Sequence, residues 1–207
     1  MKWEFIFRLY IFCVSLVLCA CIYIEFRISH EKGNTQNRGC IEKPLIEKRS
    51  DIDCFFNAYE DTIETILSRR IYKKSPVTAN LLRDIAEEVY YETCIIVPAK
   101  LVLAQAMFES HIGLKGRNPK TNPFNVGEYD DRTYLRFNTT CEGVRAYFNL
   151  MVNDYLRCKT PRELLNNFTN CNNLRYATDS NYELKLKRAI SGIEIRVKKS
   201  NEQNICS

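Results

Sequence analysis

The sequence has few histidines and lacks the cysteine spacing of metal sites. It contains two histidines, His30 and His111, which lie far apart, and none of its ten cysteines forms a C-x-x-C pair. Structural zinc sites combine such pairs with closely spaced histidines, so the sequence predicts no metal site. No basic run is interleaved with aromatic residues, which argues against nucleic-acid binding. The chain also has no internal repeat.

The composition is that of one globular domain with additional segments. Of the 207 residues, 45% are hydrophobic and 27% are charged, which is enough for a domain with a core. The formal net charge is +5. This modest excess of positive charge fits solubility alone, and it also fits an anionic partner such as an acidic polymer or lipid. Charge by itself does not separate these two interpretations.

An uncharged run lies near the N-terminus. Residues 9–24 carry no charge and are part of a longer apolar stretch. A helix needs about 20 apolar residues to span a bilayer, so residues 1–28 are predicted to form a membrane anchor. A cleaved signal, or a lipoprotein-like segment around Cys21, remains an alternative. Residues 29–50 are polar and charged and are predicted to be a linker.

Seven cysteines follow this run. In an oxidising compartment some of them would form disulfides, whereas in a reducing compartment they would stay as buried thiols. The sequence leaves both alternatives open. Because seven is an odd number, at least one of these cysteines would remain free or pair between chains.

Hydrophobic periodicity predicts a mainly α domain over residues 51–197, followed by a loose polar tail at residues 198–207. Thr78, Thr139 and Thr160 are each predicted to cap the start of a helix. One short strand is predicted at residues 133–137, where polar and apolar residues alternate. The predicted helices are 51–72, 78–94, 98–113, 139–156, a segment starting at 160, and 180–196, the last capped by Thr178 or Asp179.

One predicted helix, residues 98–113, ends in a carboxylate. Its apolar residues recur at helical spacing, Gly113 is the expected stop, and Glu109 therefore lies in the last turn. The negative end of the helix dipole and partial burial both disfavour an ionised carboxylate, so the pKa of Glu109 is predicted to be raised. A carboxylic acid that stays protonated near neutral pH can donate a proton to a leaving group.

Three segments, in order along the chain, resemble motifs of a known family. Residues 104–113, AQAMFESHIG, resemble the AQAxxESxxG motif of the bacterial β-N-acetylglucosaminidases of glycoside hydrolase family 73. Residues 122–127 resemble the family's NNLFGI turn, and residues 176–182 its YATDxxY segment. The resemblance covers roughly residues 76–195. It implies a peptidoglycan hydrolase with a lysozyme-like α+β domain and a small, reduced β lobe.

The resemblance also implies roles for individual residues. Glu109 matches the family's catalytic acid. Tyr176 matches the tyrosine of the YATD segment, whose hydroxyl would contact the N-acetyl group of the sugar or position water. Further side chains are expected to bind substrate near the cleft. They are Gln105, Asn122, Phe124, Asn125 and Tyr182.

The family usually carries a second acidic residue in its β lobe. Here the candidates are Glu128, Asp130 and Asp131, and Glu128 is preferred because it directly follows the resembling turn. Glu142 stands at about the right separation from the first carboxylate, but its place in a capping box explains it better. If none of these serves, the N-acetyl group of the substrate could assist instead.

Together these expectations describe a membrane-anchored glycosidase whose catalytic domain lies outside the cytoplasm. It would hydrolyse the β-1,4 bond after N-acetylglucosamine in peptidoglycan, with Glu109 as general acid and without a cofactor. Its partners would be the glycan polymer and the membrane. Two alternatives share the fold: a non-catalytic glycan-binding or scaffold module, and a lytic transglycosylase, which releases an anhydro sugar.

Overall fold

The computed structural model describes residues 49–116, 118–127 and 135–205, which belong to one compact unit spanning residues 43–207. The predicted anchor and the predicted linker up to residue 48 lie outside the described residues, so their boundaries stay predictions. No helix within the described ranges is both long enough and apolar enough to cross a membrane.

Helices make up most of the described chain, which confirms the mainly α fold. The described residues contain six α-helices. They are α1 (Arg49–Leu67), α2 (Ala79–Thr93), α3 (Ala99–Ser110), α4 (Thr140–Leu150), α5 (Pro161–Leu164) and α6 (Tyr182–Ile205). A 3-10 turn at Arg70–Tyr72 follows α1, and a π-helical turn at Met151–Tyr155 extends α4.

Helix α3 forms the centre of the core. Its sequence, AKLVLAQAMFES, is apolar on nearly every side, and most of its residues are buried. A helix that is apolar all round must be covered by other elements, and both α1 and α6 pack against it. Its last turn, with Phe108 and Glu109, reaches the surface. Because α3 runs through the core and ends at the surface, its last turn places the Glu109 carboxylate at the edge of the domain.

The three predicted threonine caps are confirmed. The hydroxyls of Thr78, Thr139 and Thr160 each accept a hydrogen bond from the backbone N–H three residues further on, at 3.1 to 3.3 Å. At α5 the carboxylate of Glu163 also accepts from the backbone N–H of Thr160 at 2.7 Å, completing the capping box. These bonds satisfy N–H groups that have no partner within the helix, so each helix begins where the local sequence places it.

The last helix differs from its prediction at both ends. It begins at Tyr182 rather than near residue 180, because the Asp179 carboxylate accepts from the N–H of Asn181 and so organises the turn before the helix. It continues to Ile205, where a loose tail was predicted. No glycine or proline interrupts residues 193–205, and Ile193 and Val197 pack against the core, so nothing in that stretch stops the helix.

The described part of the predicted β lobe is a loop. Residues 135–137 belong to the predicted strand but have no strand conformation, while residues 128–134 lie outside the described residues. In the ranges that are described, the only β pairing is an isolated antiparallel bridge between Thr169 and Arg175.

The structure contains a disulfide between Cys158 and Cys171, which closes a loop with a sequence separation of 13. Cys94 is also disulfide-bonded, whereas Cys54 and Cys141 are free and exposed. Disulfide formation, one of the two alternatives for the seven cysteines, therefore applies to at least Cys94, Cys158 and Cys171. The Cys158–Cys171 bridge ties the end of the π-helical turn to the segment that leads to Tyr176.

Candidate active site around Glu109

Glu109 is half-buried in the last turn of α3, and a tight turn holds it there. After the helix, His111, Ile112 and Gly113 all have positive φ angles, of 54°, 58° and 75°. The Ile112 N–H returns to the Ala106 carbonyl at 2.8 Å, which closes the helix end. The helix ends at Ser110, three residues before the predicted stop at Gly113, because His111 already adopts the left-handed conformation that closes it. The backbone of Glu109 is therefore rigidly placed.

The loop at residues 118–127 is fastened to this helix end by two side chains. Ser110 is buried, and its hydroxyl donates to the Pro123 carbonyl at 2.6 Å. Asn125 donates from Nδ2 to the Glu109 carbonyl at 2.8 Å and to the Glu109 carboxylate Oε2 at 3.3 Å. The same amide therefore fixes both the backbone and the side chain of Glu109.

On the other side, a chain of hydrogen bonds runs from the core to the second carboxylate oxygen. The hydroxyl of Tyr147 donates to Gln105 Oε1 at 2.6 Å, and Gln105 Nε2 donates to the Tyr182 hydroxyl at 3.1 Å. The Tyr182 hydroxyl in turn donates to Glu109 Oε1 at 3.1 Å. Because Gln105 is fully buried, its amide has no water to exchange with, so each partner fixes the direction of the next hydrogen bond.

The phenols around Glu109 stay protonated. Burial raises the pKa of Tyr182, and the negative charge of Glu109 raises it further. Burial is also the main cause of the raised pKa values of Tyr147 and Tyr176, and Glu109 adds to both. At neutral pH the Tyr182 hydroxyl is therefore a hydrogen-bond donor to Glu109 and not a competing base.

Tyr176 lies in the same cluster but points its hydroxyl elsewhere. Its ring stacks on Tyr182, with centroids 5.5 Å apart and planes 20° apart. Its hydroxyl donates to the Phe124 carbonyl at 3.3 Å. Tyr176 therefore braces the ring of Tyr182 and ties the C-terminal segment to the 118–127 loop.

The structure brings most of the predicted site residues together, although two of them occupy a different environment from the one expected. Asn122 and Phe124, predicted to line the cleft, are buried. The Asn122 amide closes on the backbone of Val126, donating at 3.0 Å and accepting at 2.9 Å, and Phe124 stacks on Tyr147 at 3.7 Å. These two side chains support the site from behind because their polar atoms and ring faces are already occupied.

The predicted second carboxylates, Glu128, Asp130 and Asp131, lie outside the described residues, so their role stays a prediction. Glu142 accepts the backbone N–H of Asn138 at 2.8 Å, one residue before the cap Thr139, so it braces the start of α4 without closing the predicted capping box. Sequence reasoning missed Tyr147 as a member of the site and assigned it only to the core. The signal was present, since an inward-facing tyrosine hydroxyl needs a partner and a buried glutamine can supply one.

The described residues contain no group of three or more His, Cys, Asp and Glu side chains that could hold a metal ion. What the described site offers is one carboxyl group between the core and solvent, with a hydrogen-bond donor on each oxygen. A carboxyl group placed in this way is suited to proton transfer in acid–base catalysis.

A helical domain that presents such a carboxyl group at a helix end fits the class of glycoside hydrolases, which need a positioned acid. The family model for Glucosaminidase, described as mannosyl-glycoprotein endo-β-N-acetylglucosaminidase, matches residues 83–194, more than half of the chain. The chain belongs to this family, which confirms the resemblance found in the sequence. No curated protein matches the chain. The matched region contains Glu109, Gln105, Tyr147 and Tyr182 and supports a peptidoglycan-type glycoside hydrolase activity.

Proposed function

We propose that the protein is a membrane-anchored glycoside hydrolase that cleaves the β-1,4 bond after N-acetylglucosamine in peptidoglycan, with Glu109 as general acid. The observation that carries this proposal is the placement of Glu109 at the end of α3, within the matched region, with Tyr182 and Asn125 on its two carboxylate oxygens. Glycosidic cleavage requires a proton on the leaving oxygen, and a half-buried carboxylic acid can supply it.

Two opposing influences act on the protonation of the Glu109 carboxyl group. The C-terminal end of the helix and partial burial favour the neutral acid, whereas the donors Tyr182 and Asn125 favour the carboxylate. A general acid must give up its proton during the reaction, so donors that stabilise the resulting charge help the same step. The lysozyme-like arrangement implied by the resemblance would place the glycan strand across this carboxyl group.

The second role in the reaction is proposed for Glu128. It would activate water or stabilise the positive charge that develops on the sugar ring. Tyr176 supports the proposal by holding the ring of Tyr182 against the site. If Glu128 does not serve, the N-acetyl group of the substrate would take its place.

The proposed location is the outer side of a membrane, with residues 1–28 as anchor. The Cys158–Cys171 disulfide supports a catalytic domain in an oxidising compartment, where such bonds persist. The proposed substrate, a wall polymer, lies in the same place.

The test is mass spectrometry of the soluble fragments that the full chain releases from purified peptidoglycan. The Glu109→Gln variant is the negative control. Fragments with N-acetylglucosamine at the reducing end, absent with the variant, would support the proposal. Anhydro sugars would identify a lytic transglycosylase instead, since those products lack one water. Binding to peptidoglycan without release of fragments would identify a non-catalytic module.

Replacing Tyr182 with Phe should shift the pH dependence of activity. Burial and Glu109 keep this hydroxyl protonated, so it donates to the carboxylate over the whole working range. A donated hydrogen bond favours the ionised form, so losing it raises the pKa of the Glu109 carboxyl. General-acid activity falls as pH rises through that pKa, so the basic limb of the kcat/KM profile should move up by about one pH unit.

The matched control is Tyr176→Phe, which removes a hydroxyl from the adjacent ring without removing a donor from Glu109. Its basic limb should stay in place even if kcat falls. A profile that moves equally in both variants, or in neither, would contradict the assigned hydrogen bond.

A further inference from the structure

A positively charged groove lies beside the candidate active site, between the turn that follows α1, the end of α3 and one face of α6. We call it the cationic groove and define it by Arg69, Tyr72, Phe108, Lys185, Arg188 and Arg196. Its volume is about 410 Å³, and its lining contains four cationic side chains but no acidic one among the described residues.

The groove follows a regular pattern on α6. Residues 185, 188, 192 and 196 follow one another at intervals of three, four and four. The side chains of Lys185, Arg188 and Arg196 therefore lie on one face of the helix. Gly192 leaves this face open, and the Arg196 guanidinium folds back on it, donating from Nη1 to the Gly192 carbonyl at 2.7 Å. Arg69 faces this row from the opposite side of the groove.

Charge pairing separates Arg69 and Arg188 from Lys185 of the same groove, which pairs with the Asp179 carboxylate, and from several arginines elsewhere on the domain. Arg83, Arg145 and Arg175 each form ion pairs with glutamates. Within the described residues, Arg69 and Arg188 have no carboxylate partner. Arg69 instead lies over the ring of Tyr72, with its guanidinium carbon 5.8 Å from the ring centroid. Arg69 and Arg188 therefore carry positive charge that no carboxylate of the described residues pairs with.

Arg69 and Arg196 line the groove together with Tyr72. Tyr72 is buried, and burial raises the pKa of its hydroxyl, while the positive charges of Arg69 and Arg196 both oppose that rise. The positive charges of both arginines therefore reach the Tyr72 hydroxyl. An anionic group in the groove beside Tyr72 would be attracted by both.

The groove adjoins the catalytic carboxyl group. Phe108, at one end of the groove, directly precedes Glu109, and it is 41% exposed. Its ring meets Tyr182 edge-on at 6.3 Å, and Tyr182 is hydrogen-bonded to Glu109. Lys185 lies 5.9 Å from the centroid of the Phe108 ring. A ligand that reaches from Glu109 past Phe108 enters the cationic groove.

From this arrangement we infer that the cationic groove binds carboxylate groups on the peptides attached to the glycan strand that Glu109 cleaves. The inference rests on the proposed function, because it places the strand at Glu109. A neutral sugar gains little from unpaired guanidinium groups, whereas a peptide carboxylate beside the scissile bond would be held by them. The groove would therefore favour peptide-bearing strands over bare ones.

The test measures binding of soluble peptidoglycan strands to the full chain carrying Glu109→Gln, which prevents turnover. Strands with their peptides intact, the peptide-bearing strands, are compared with the same strands after chemical amidation of the peptide carboxylates, which we call stripped strands. Enzymatic removal of the peptides is not used, because it would expose the lactyl carboxylate of each muramic acid. Adding Arg69→Gln and Arg188→Gln should weaken binding of the peptide-bearing strands about tenfold and leave binding of the stripped strands unchanged. The affinity of the parent for peptide-bearing strands should also fall more steeply with salt than that of the variant.

The control pair is Arg157→Gln with Lys198→Gln, which removes the same charge from exposed positions outside the groove. It should bind both kinds of strand like the parent. Arg188→Glu alone, at an exposed position, checks that the effect comes from charge and not from altered folding. Unchanged affinity of the groove variants for peptide-bearing strands, an equal loss on stripped strands, or an equal loss in the control pair would overturn the inference.

The wild-type chain acting on stripped strands tests the proposed function separately, because that substrate lacks the carboxylates. Release of fragments there, without an effect of the groove variants on binding, would reject the groove and leave the hydrolase. Absence of fragments from both kinds of strand would reject the hydrolase, on which the inference depends.

Discussion

Replacing Glu109 with Gln should lower kcat for peptidoglycan cleavage about a thousandfold or more, which is the upper part of the range for general acid–base catalysis. The amide has nearly the same shape and keeps an oxygen that can accept from Tyr182 or Asn125, so the site should remain assembled. It cannot donate a proton to the leaving oxygen. The measurement is the rate of reducing-end release, with the melting temperature recorded for each protein.

Glu142→Gln is the control for this experiment, because Glu142 is the other glutamate at a suitable distance along the sequence. Its carboxylate accepts the Asn138 N–H at the start of α4, so its loss should affect stability slightly and turnover little. If Glu109→Gln keeps more than about a tenth of the activity, or if Glu142→Gln is the inactive one, the acid has been assigned to the wrong residue.

Replacing Gly143 with Ala should be strongly destabilising, although alanine is normally the better helix former. A Cβ atom at residue 143 would lie 1.9 Å from the Thr121 carbonyl oxygen and 3.2 Å from the Asn122 Cα, both of which are backbone atoms. The first turn of α4 would have to separate from the 118–127 loop. We expect a loss of about 3 kcal/mol or more in the free energy of unfolding, and lower activity because the same loop carries Asn125.

Gly192→Ala provides the comparison within a helix of the same domain. There the nearest atom to an added Cβ is the Arg196 Nη1, at 3.0 Å, which is the end of a flexible side chain. The substitution should be neutral or stabilise by up to about 1 kcal/mol, the usual gain from alanine in a helix. Chemical denaturation followed by circular dichroism measures both. A similar change in the two variants would show that the contact between α4 and the loop is unimportant.

Much of the fold could be predicted because its signals are local. Thr78, Thr139 and Thr160 begin helices through hydrogen bonds to residues three positions away, so a short stretch of sequence contains all the information. The same applies to α3, whose apolar pattern places Glu109 in the last turn of a helix, although the helix ends at Ser110 and not at Gly113. Where local signals were absent, prediction was weaker. The end of α6 was placed near residue 196, although the helix continues to Ile205.

The same distinction between local and long-range information applies to the candidate site. Glu109, Gln105, Asn125 and Tyr182 were found from motifs, but the connections between them could not be. Gln105 and Tyr182 lie 77 residues apart, and Gln105 and Tyr147 lie 42 apart. Their hydrogen bonds depend on how α3, α4 and α6 pack, which no periodicity within one helix specifies.

Local sequence was therefore sufficient for the helical class, for three helix starts and for the position of one carboxyl group at the end of an apolar helix. Tertiary packing alone placed Asn122 and Phe124 in the core and gave Tyr147 its buried glutamine partner. It also brought Arg69 to the arginines of α6. The physical reason is the range of the interactions. Capping and amphipathicity act over three or four residues, whereas buried polar networks and charged grooves arise only between elements distant in the chain.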